Sequence, residues 1–152
     1  MGSVIIDANL LLLLVVGGAS RSYIRAHKRL KAFTTGDFDL LTDYMQSRFT
    51  RIVILPNVVT EVSNLAAYIG EPAKRHIRHK LAEFVERSDE RYVESAKVVA
   101  HGSFLDLGLT DTAILLAVKT ESGATILTAD LDLAVAGEMA GLRVVNFNHL
   151  RD

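Results

Sequence analysis

Five acidic residues stand where a chain could do chemistry on a charged substrate: Asp7, Glu61, Asp111, Asp130 and Asp132. Asp7 comes straight after the apolar triplet Val4-Ile5-Ile6, while Asp130 and Asp132 lie in "TADLDLA", just past the apolar run at 124–127. Glu61 falls one turn into the Pro-led stretch "PNVVTEVSNL", and Asp111 in the first turn of "GLTDTAILLA". Several carboxylates in one cleft raise one another's pKa unless a cation neutralises them. Carboxylate oxygen is the donor that hard divalent ions prefer, so the set predicts Mg²⁺ or Mn²⁺. Such a site suits binding of a phosphate and delivery of a metal-activated water. Taken singly, Asp111 and Asp130 read as helix-start and turn residues, because Asp commonly caps helices and shapes turns. Asp7 resists that reading, since an acid between an apolar strand and an apolar helix is costly without a partner.

The elements that must position these acids are short and alternate. Apolar runs predict strands over 4–6, 52–55, 124–127 and 142–145. Residues 10–16 are apolar on every side, which predicts a core helix ended by Gly17-Gly18. Ser20 is expected to cap a second helix, with Tyr23, Ile24 and His27 on one face. A weaker amphipathic helix is expected over 37–48, after a turn at Thr35-Gly36. Pro56 opens a helix with Val58, Val62 and Leu65 on its apolar stripe, and Glu71-Pro72 starts another. Thr110 is the expected cap of a helix over 111–120, and a last helix is predicted over 131–140. Between 88 and 108 the pattern is weak: Val93 predicts a short strand, and 95–101 a helical turn.

Strands separated by helices predict an α/β domain with a parallel sheet covered on both faces. Residues just past the C-terminal ends of parallel strands gather along one edge, which is where open α/β folds bind ligands. At ~100° per residue, Glu61 lies on the border of its helix's apolar stripe, placed to reach a partly buried cleft. The acids are thereby expected to converge.

Composition narrows the rest. The 152 residues are most simply one domain spanning 1–152, and 49% apolar against 23% charged is the balance of a chain that folds. There is no cysteine, which excludes disulfides, thiolate zinc sites and a cysteine nucleophile together. A net charge of −1 gives no bulk positive field, so any nucleic-acid contact must be local. The apolar run at 10–16 is far below the ~20 residues that span a bilayer, and no Lys or Arg precedes it as a signal peptide requires. A soluble, cytoplasmic protein is expected, with no membrane partner.

From end to end the chain resembles the PIN domains, metal-dependent ribonucleases that include the toxins of bacterial toxin–antitoxin pairs. "VIIDAN" resembles the opening strand and first acid of that family, and "LPNVVTEVSNL" the Pro-led helix with the second. "LGLTDTAILLA" resembles the third motif and "ILTADLDLA" the fourth. The resemblance implies a three-layer fold around a parallel sheet and a phosphodiesterase site of Asp7, Glu61, Asp111 and Asp130. It implies Mg²⁺ or Mn²⁺ held by these acids with Asp132 as an auxiliary ligand, and Asn9 and Thr128 as small polar residues that steady them. An RNA substrate, an antitoxin protein and a homodimer are the partners it implies. Asn9 departs from the Ser or Thr often seen there, and the segment 17–50 is long for the smallest toxin members.

Two helix faces carry local basic clusters, Arg25, Lys28 and Arg29 with their neighbours, and Lys74 and Arg78 with theirs. These are either solvated faces or an RNA-backbone surface whose binding weakens with salt. His76 and His79 share a helix face without the HExxH pattern, so surface histidines are expected. Other readings compete. A metal-dependent phosphatase of the haloacid-dehalogenase type wants Asp-x-Asp, and position 9 is Asn. A phosphoacceptor receiver domain wants a Lys after a late strand, and 142–149 has none. A catalytically silent PIN-like scaffold that binds RNA or protein is the non-enzymatic alternative.

Overall fold

The apolar triplet near the start of the chain becomes the central strand of the molecule. In the computed structural model, which describes residues 2–151, β1 (Gly2–Ile6) lies between β2 (Phe49–Ile54) and β4 (Thr125–Thr128). Val4, Ile5 and Ile6 are completely enclosed, because their neighbours cover both edges and helices cover both faces. β3 (Asp89–Glu90) and β5 (Arg143–Asn146) complete an all-parallel sheet of order β3-β2-β1-β4-β5. Ile5 pairs with Val53 on one side and Ile126 on the other, so three apolar strands form the heart of the sheet. This is the α/β architecture the alternating pattern predicts. Strand order reverses between β1 and β4, and the crevice past their C-terminal ends is the switch point where such sheets bind ligands.

Two helical layers enclose the sheet. On one side α1 (Ala8–Ala19) packs against α3 (Thr35–Arg48), α4 (Pro56–Leu65) and α5 (Ala73–Glu86). The short α2 (Ser22–Ala26) also leans on α1. On the other, α7 (Phe104–Thr120) packs against α6 (Ser95–Val99) and α8 (Leu131–Met139). α4 also touches α7, which brings the two layers together beside the sheet edge. Among the described residues no helix is long and apolar enough to cross a membrane.

Several boundaries differ from the sequence expectation, each for a physical reason. α1 does not stop at Gly17-Gly18; it runs through to Ala19. A Cβ on Gly17 would lie 2.3 Å from the Phe38 ring, so this glycine is a close-packing residue, not a terminator. Ser20 closes α1, its N–H donating to the Val16 carbonyl at 3.1 Å, and its side chain caps no second helix. α3 takes in the expected turn at Thr35-Gly36 as its first residues, because Thr34 and Asp37 form a reciprocal capping box around them. The weak region resolves into β3 at Asp89–Glu90, not at Val93, and the one-turn α6. α7 begins at Phe104 and is broken at Gly108, whose φ of 83° and ψ of −177° are open only to glycine. β4, α8 and β5 lie within one residue of expectation.

Candidate active site

Asp7 leaves the end of β1 and caps α1, its Oδ1 accepting the Leu10 N–H at 3.0 Å. Its Oδ2 accepts the Thr128 hydroxyl and the Ala129 N–H, the latter at 3.1 Å. Two elements therefore grip one carboxylate: the helix that follows β1 and the end of the neighbouring β4. The side chain is buried, and that burial pushes its pKa up. The bonds from Thr128, Leu10 and Ala129 oppose the rise, and the charge of Asp130 adds to it. Three of roughly four acceptor positions on the carboxylate are taken.

Asp130 repeats the arrangement one strand over. It caps α8, Oδ1 accepting the Leu133 N–H at 3.1 Å, and its own N–H donates to the Thr128 hydroxyl oxygen at 2.9 Å. Thr128 is fully buried and joins the two acids, donating to one and accepting from the backbone of the other. From the opposite wall Glu61 projects from α4, and Asp111 from α7 just past the Gly108 break. The Thr110 hydroxyl donates to Glu61 Oε1 at 2.5 Å. Thr110 is therefore not the expected helix cap; it orients an acid on the facing helix.

Asp7, Glu61, Asp111 and Asp130 line a single cleft of about 440 Å³, with Asn9, Thr110 and the segment around Gly108 completing its wall. Asp111 registers the convergence most strongly: its pKa is pushed up to about 7, first by burial, then by Asp130, Asp7, Glu61 and Asp132. Asp132 acts on Asp111 from outside the cleft. It sits exposed on the first turn of α8 and faces a neighbouring hollow with Asp106. Sequence reading missed Thr110 as a partner of Glu61, and also Gly108. The only signal was "LGLTD", where a glycine interrupts an otherwise helical pattern.

The donors are chemically suited to a hard divalent cation: oxygen only and in charge excess, with burial and then the neighbouring acids raising the Asp111 pKa. Among the described residues no three carboxylate or imidazole groups form a closed cage. Mg²⁺ does not require one, since it keeps several waters and takes one or two carboxylates plus substrate phosphate.

The basic residues lie away from the cleft. Arg25 borders a hollow beside α2, and Lys74 and Arg78 another on α5. Arg78 donates to the Ser63 carbonyl on α4 at 3.1 Å, two residues beyond Glu61, and so ties α5 to the acid-bearing helix. The Arg29 guanidinium stands 5.1 Å from the centre of the Tyr68 ring, and Lys28 donates its N–H to the Tyr68 carbonyl. His76 and His79 are on the surface, engaged by Tyr23 and Glu83 respectively. His27, expected only on a helix face, is completely buried, with Nδ1 accepting the Arg29 N–H at 3.1 Å.

No protein-family model matches the chain, and no curated protein is significantly similar to it.

Proposed function

We propose that this protein is a PIN-type, Mg²⁺- or Mn²⁺-dependent endoribonuclease that hydrolyses RNA phosphodiesters in the carboxylate cleft. The observation that carries the reading is the meeting of Asp7, Glu61, Asp111 and Asp130 in one cleft at the switch point of a parallel sheet, where burial first and the neighbouring acids second push Asp111 up to about 7. Asp7, Glu61, Asp111 and Asp130 would hold the cation, with Asp132 as an outlying acid. When bound, the cation supplies an activated water for in-line attack and neutralises charge building on the phosphate.

The chain's own residues fix the geometry. Thr128, Ala129 and Leu10 lock Asp7 in one orientation, and Thr110 holds Glu61 from the opposite wall. Negative charge concentrated in the cleft repels phosphate until a cation is present, which makes the chemistry conditional on metal. Arg78 and Lys74, on the helix beside α4, offer cationic contacts for the RNA backbone outside the cleft.

The test compares wild type with Asp7→Asn on structured and unstructured RNA with Mn²⁺, with and without EDTA. Asn is as good a helix cap as Asp, so the variant keeps α1 while losing the charge. Cleavage is expected from wild type alone, and only with the divalent ion. Cleavage that survives EDTA would refute the metal-dependent reading. RNA binding without cleavage would identify a silent scaffold, and release of phosphate from monoesters a phosphatase. A toxin role beside an antitoxin partner rests on the same family likeness; it predicts growth arrest on expression that Asp7→Asn relieves.

A further inference from the structure

Three of the four cleft acids have a carboxylate oxygen already engaged by the protein. Asp7 is held on both: Oδ1 accepts the Leu10 N–H, and Oδ2 accepts the Thr128 hydroxyl and the Ala129 N–H. Asp130 Oδ1 accepts the Leu133 N–H at 3.1 Å. Both acids cap the helices that follow them, so backbone donors lie within their reach. Glu61 has no such donor on its own helix. It stands inside α4, where backbone N–H groups are bonded to carbonyls one turn back. Its partner comes from the facing wall, where the Thr110 hydroxyl donates to Oε1 at 2.5 Å. Thr110 and Glu61 both line the cleft. The break at Gly108, with its φ of 83°, precedes Thr110 and turns this part of α7 towards α4.

We infer, resting on the metal-binding reading of the cleft, that Thr110 is a positioning residue for ion choice. Its hydroxyl confines Glu61 to ligation through one oxygen and so disfavours a large cation that needs a two-oxygen clamp. Ca²⁺ gathers about six to eight oxygen ligands and often takes both oxygens of one carboxylate. A small octahedral ion keeps several waters and needs one oxygen from each carboxylate. An oxygen turned to a protein donor is turned away from a clamp, so Asp7, Asp130 and Glu61 present one oxygen each. With Asp111 giving two at most, the cleft acids offer no more than about five, and a Glu61 free to turn both offers a sixth. The backbone restraints on Asp7 and Asp130 survive any side-chain change. Thr128 also donates through its side chain, yet the Ala129 N–H holds the same oxygen of Asp7. The Glu61 restraint alone hangs on a single hydroxyl.

Calorimetric titration of the whole chain with Mn²⁺ and with Ca²⁺, without RNA and at one pH, tests the assignment. Thr110→Val keeps the shape of the side chain and removes the donor. It should shift the ratio of Mn²⁺ to Ca²⁺ affinity about tenfold towards Ca²⁺, the scale on which an outer hydrogen bond tunes a metal ligand. Thr110→Ser keeps the hydroxyl and should keep the wild-type ratio. Adding Glu61→Gln to Thr110→Val should cancel the shift, because an amide has one oxygen to offer. Thermal melts in EDTA establish that each variant is folded, and Thr110→Ala carries the same expectation as Thr110→Val with no bulk at the wall. A ratio unchanged in Thr110→Val, or both affinities lowered alike, overturns the inference and leaves metal binding standing. A shift that persists with Glu61→Gln overturns it too, since Thr110 would then act through another group. A wild type that binds neither ion overturns the metal reading itself, and this inference with it.

Discussion

Thr128 reaches across from the end of β4 to donate its hydroxyl to Asp7 Oδ2, a residue 121 positions earlier in the chain and one strand away. Both groups are buried, so the bond cannot be replaced by bulk water. Thr128→Val keeps the shape and removes the donor. Leaving a buried carboxylate short of a partner costs about 1–3 kcal/mol, and more for a charged group. Burial then acts on Asp7 with less opposition, and its pKa rises further. The expected result is a lower melting temperature at pH 8 than at pH 5, relative to wild type, together with loss of cleavage. An unchanged melt at both pH values would show the bond to be immaterial.

Asp111 gives a stability effect with a defined sign. Its folded pKa of about 7 lies above the 3.8 of an aspartate free in water. The folded state therefore holds an extra proton between those limits, and stability falls as pH rises through that window. Asp111→Asn removes the liability. In EDTA the variant should be more stable than wild type at pH 8, with the gap closing towards pH 4. Solvent screening at this partly exposed group limits the gain to about 1–2 kcal/mol. Added Mg²⁺ should stabilise wild type and reverse the order. Thermal melts across pH, with and without Mg²⁺, give the answer; a variant less stable than wild type at pH 8 in EDTA would contradict it.

Gly108 is the backbone break that turns α7 towards the cleft, at φ 83° and ψ −177°. A Cβ there meets no neighbouring atom within 4 Å, so the obstacle to alanine is the dihedral and not space. Gly108→Ala should cost about 1–3 kcal/mol and displace Thr110 and Asp111 from their positions. Both melting temperature and cleavage should drop. Gly102→Ala, at an open position of ordinary φ, should leave both nearly unchanged.

The basic surface on α5 predicts a salt signature. If Lys74 and Arg78 each meet one phosphate, RNA affinity falls as salt rises, and Lys74→Ala/Arg78→Ala reduces the log–log slope by about 1.4. Arg78 is also hydrogen-bonded to the Ser63 carbonyl, so a control melt is needed to separate binding from folding. A slope unchanged by the double variant would return both residues to plain surface solvation.

Much of the molecule was legible because its strands are runs of apolar residues that only a doubly covered sheet can use. Val4-Ile5-Ile6 and the run ending at Thr128 located the central crevice, and the acids just past them followed. What was not legible depended on contacts distant in sequence. Gly17 looks like a helix terminator until the Phe38 ring is placed against it, 21 residues later. Thr110 looks like a cap until α4 brings Glu61 to its hydroxyl. His27 fits a helix face in the sequence pattern, yet packing encloses it completely. The weak region at 88–108 holds a two-residue edge strand and a one-turn helix, too short for periodicity to register. Asp132, expected close to the other acids, acts on Asp111 by its charge, but its side chain faces a neighbouring hollow because it lies on the first turn of α8.

Asp7 begins a helix as well as lining a cleft, and the helix it begins is almost wholly enclosed by the rest of the protein. Position 7 thus answers to two selective pressures at once. A descendant that abandoned the chemistry would still be held to Asp or a close substitute such as Asn, because the cap must be made whatever the cleft does. Retention of the acid alone in a relative is therefore a poor witness to retained activity. Glu61, exposed and capping nothing, is free to drift once activity is lost, and is the residue whose survival is informative.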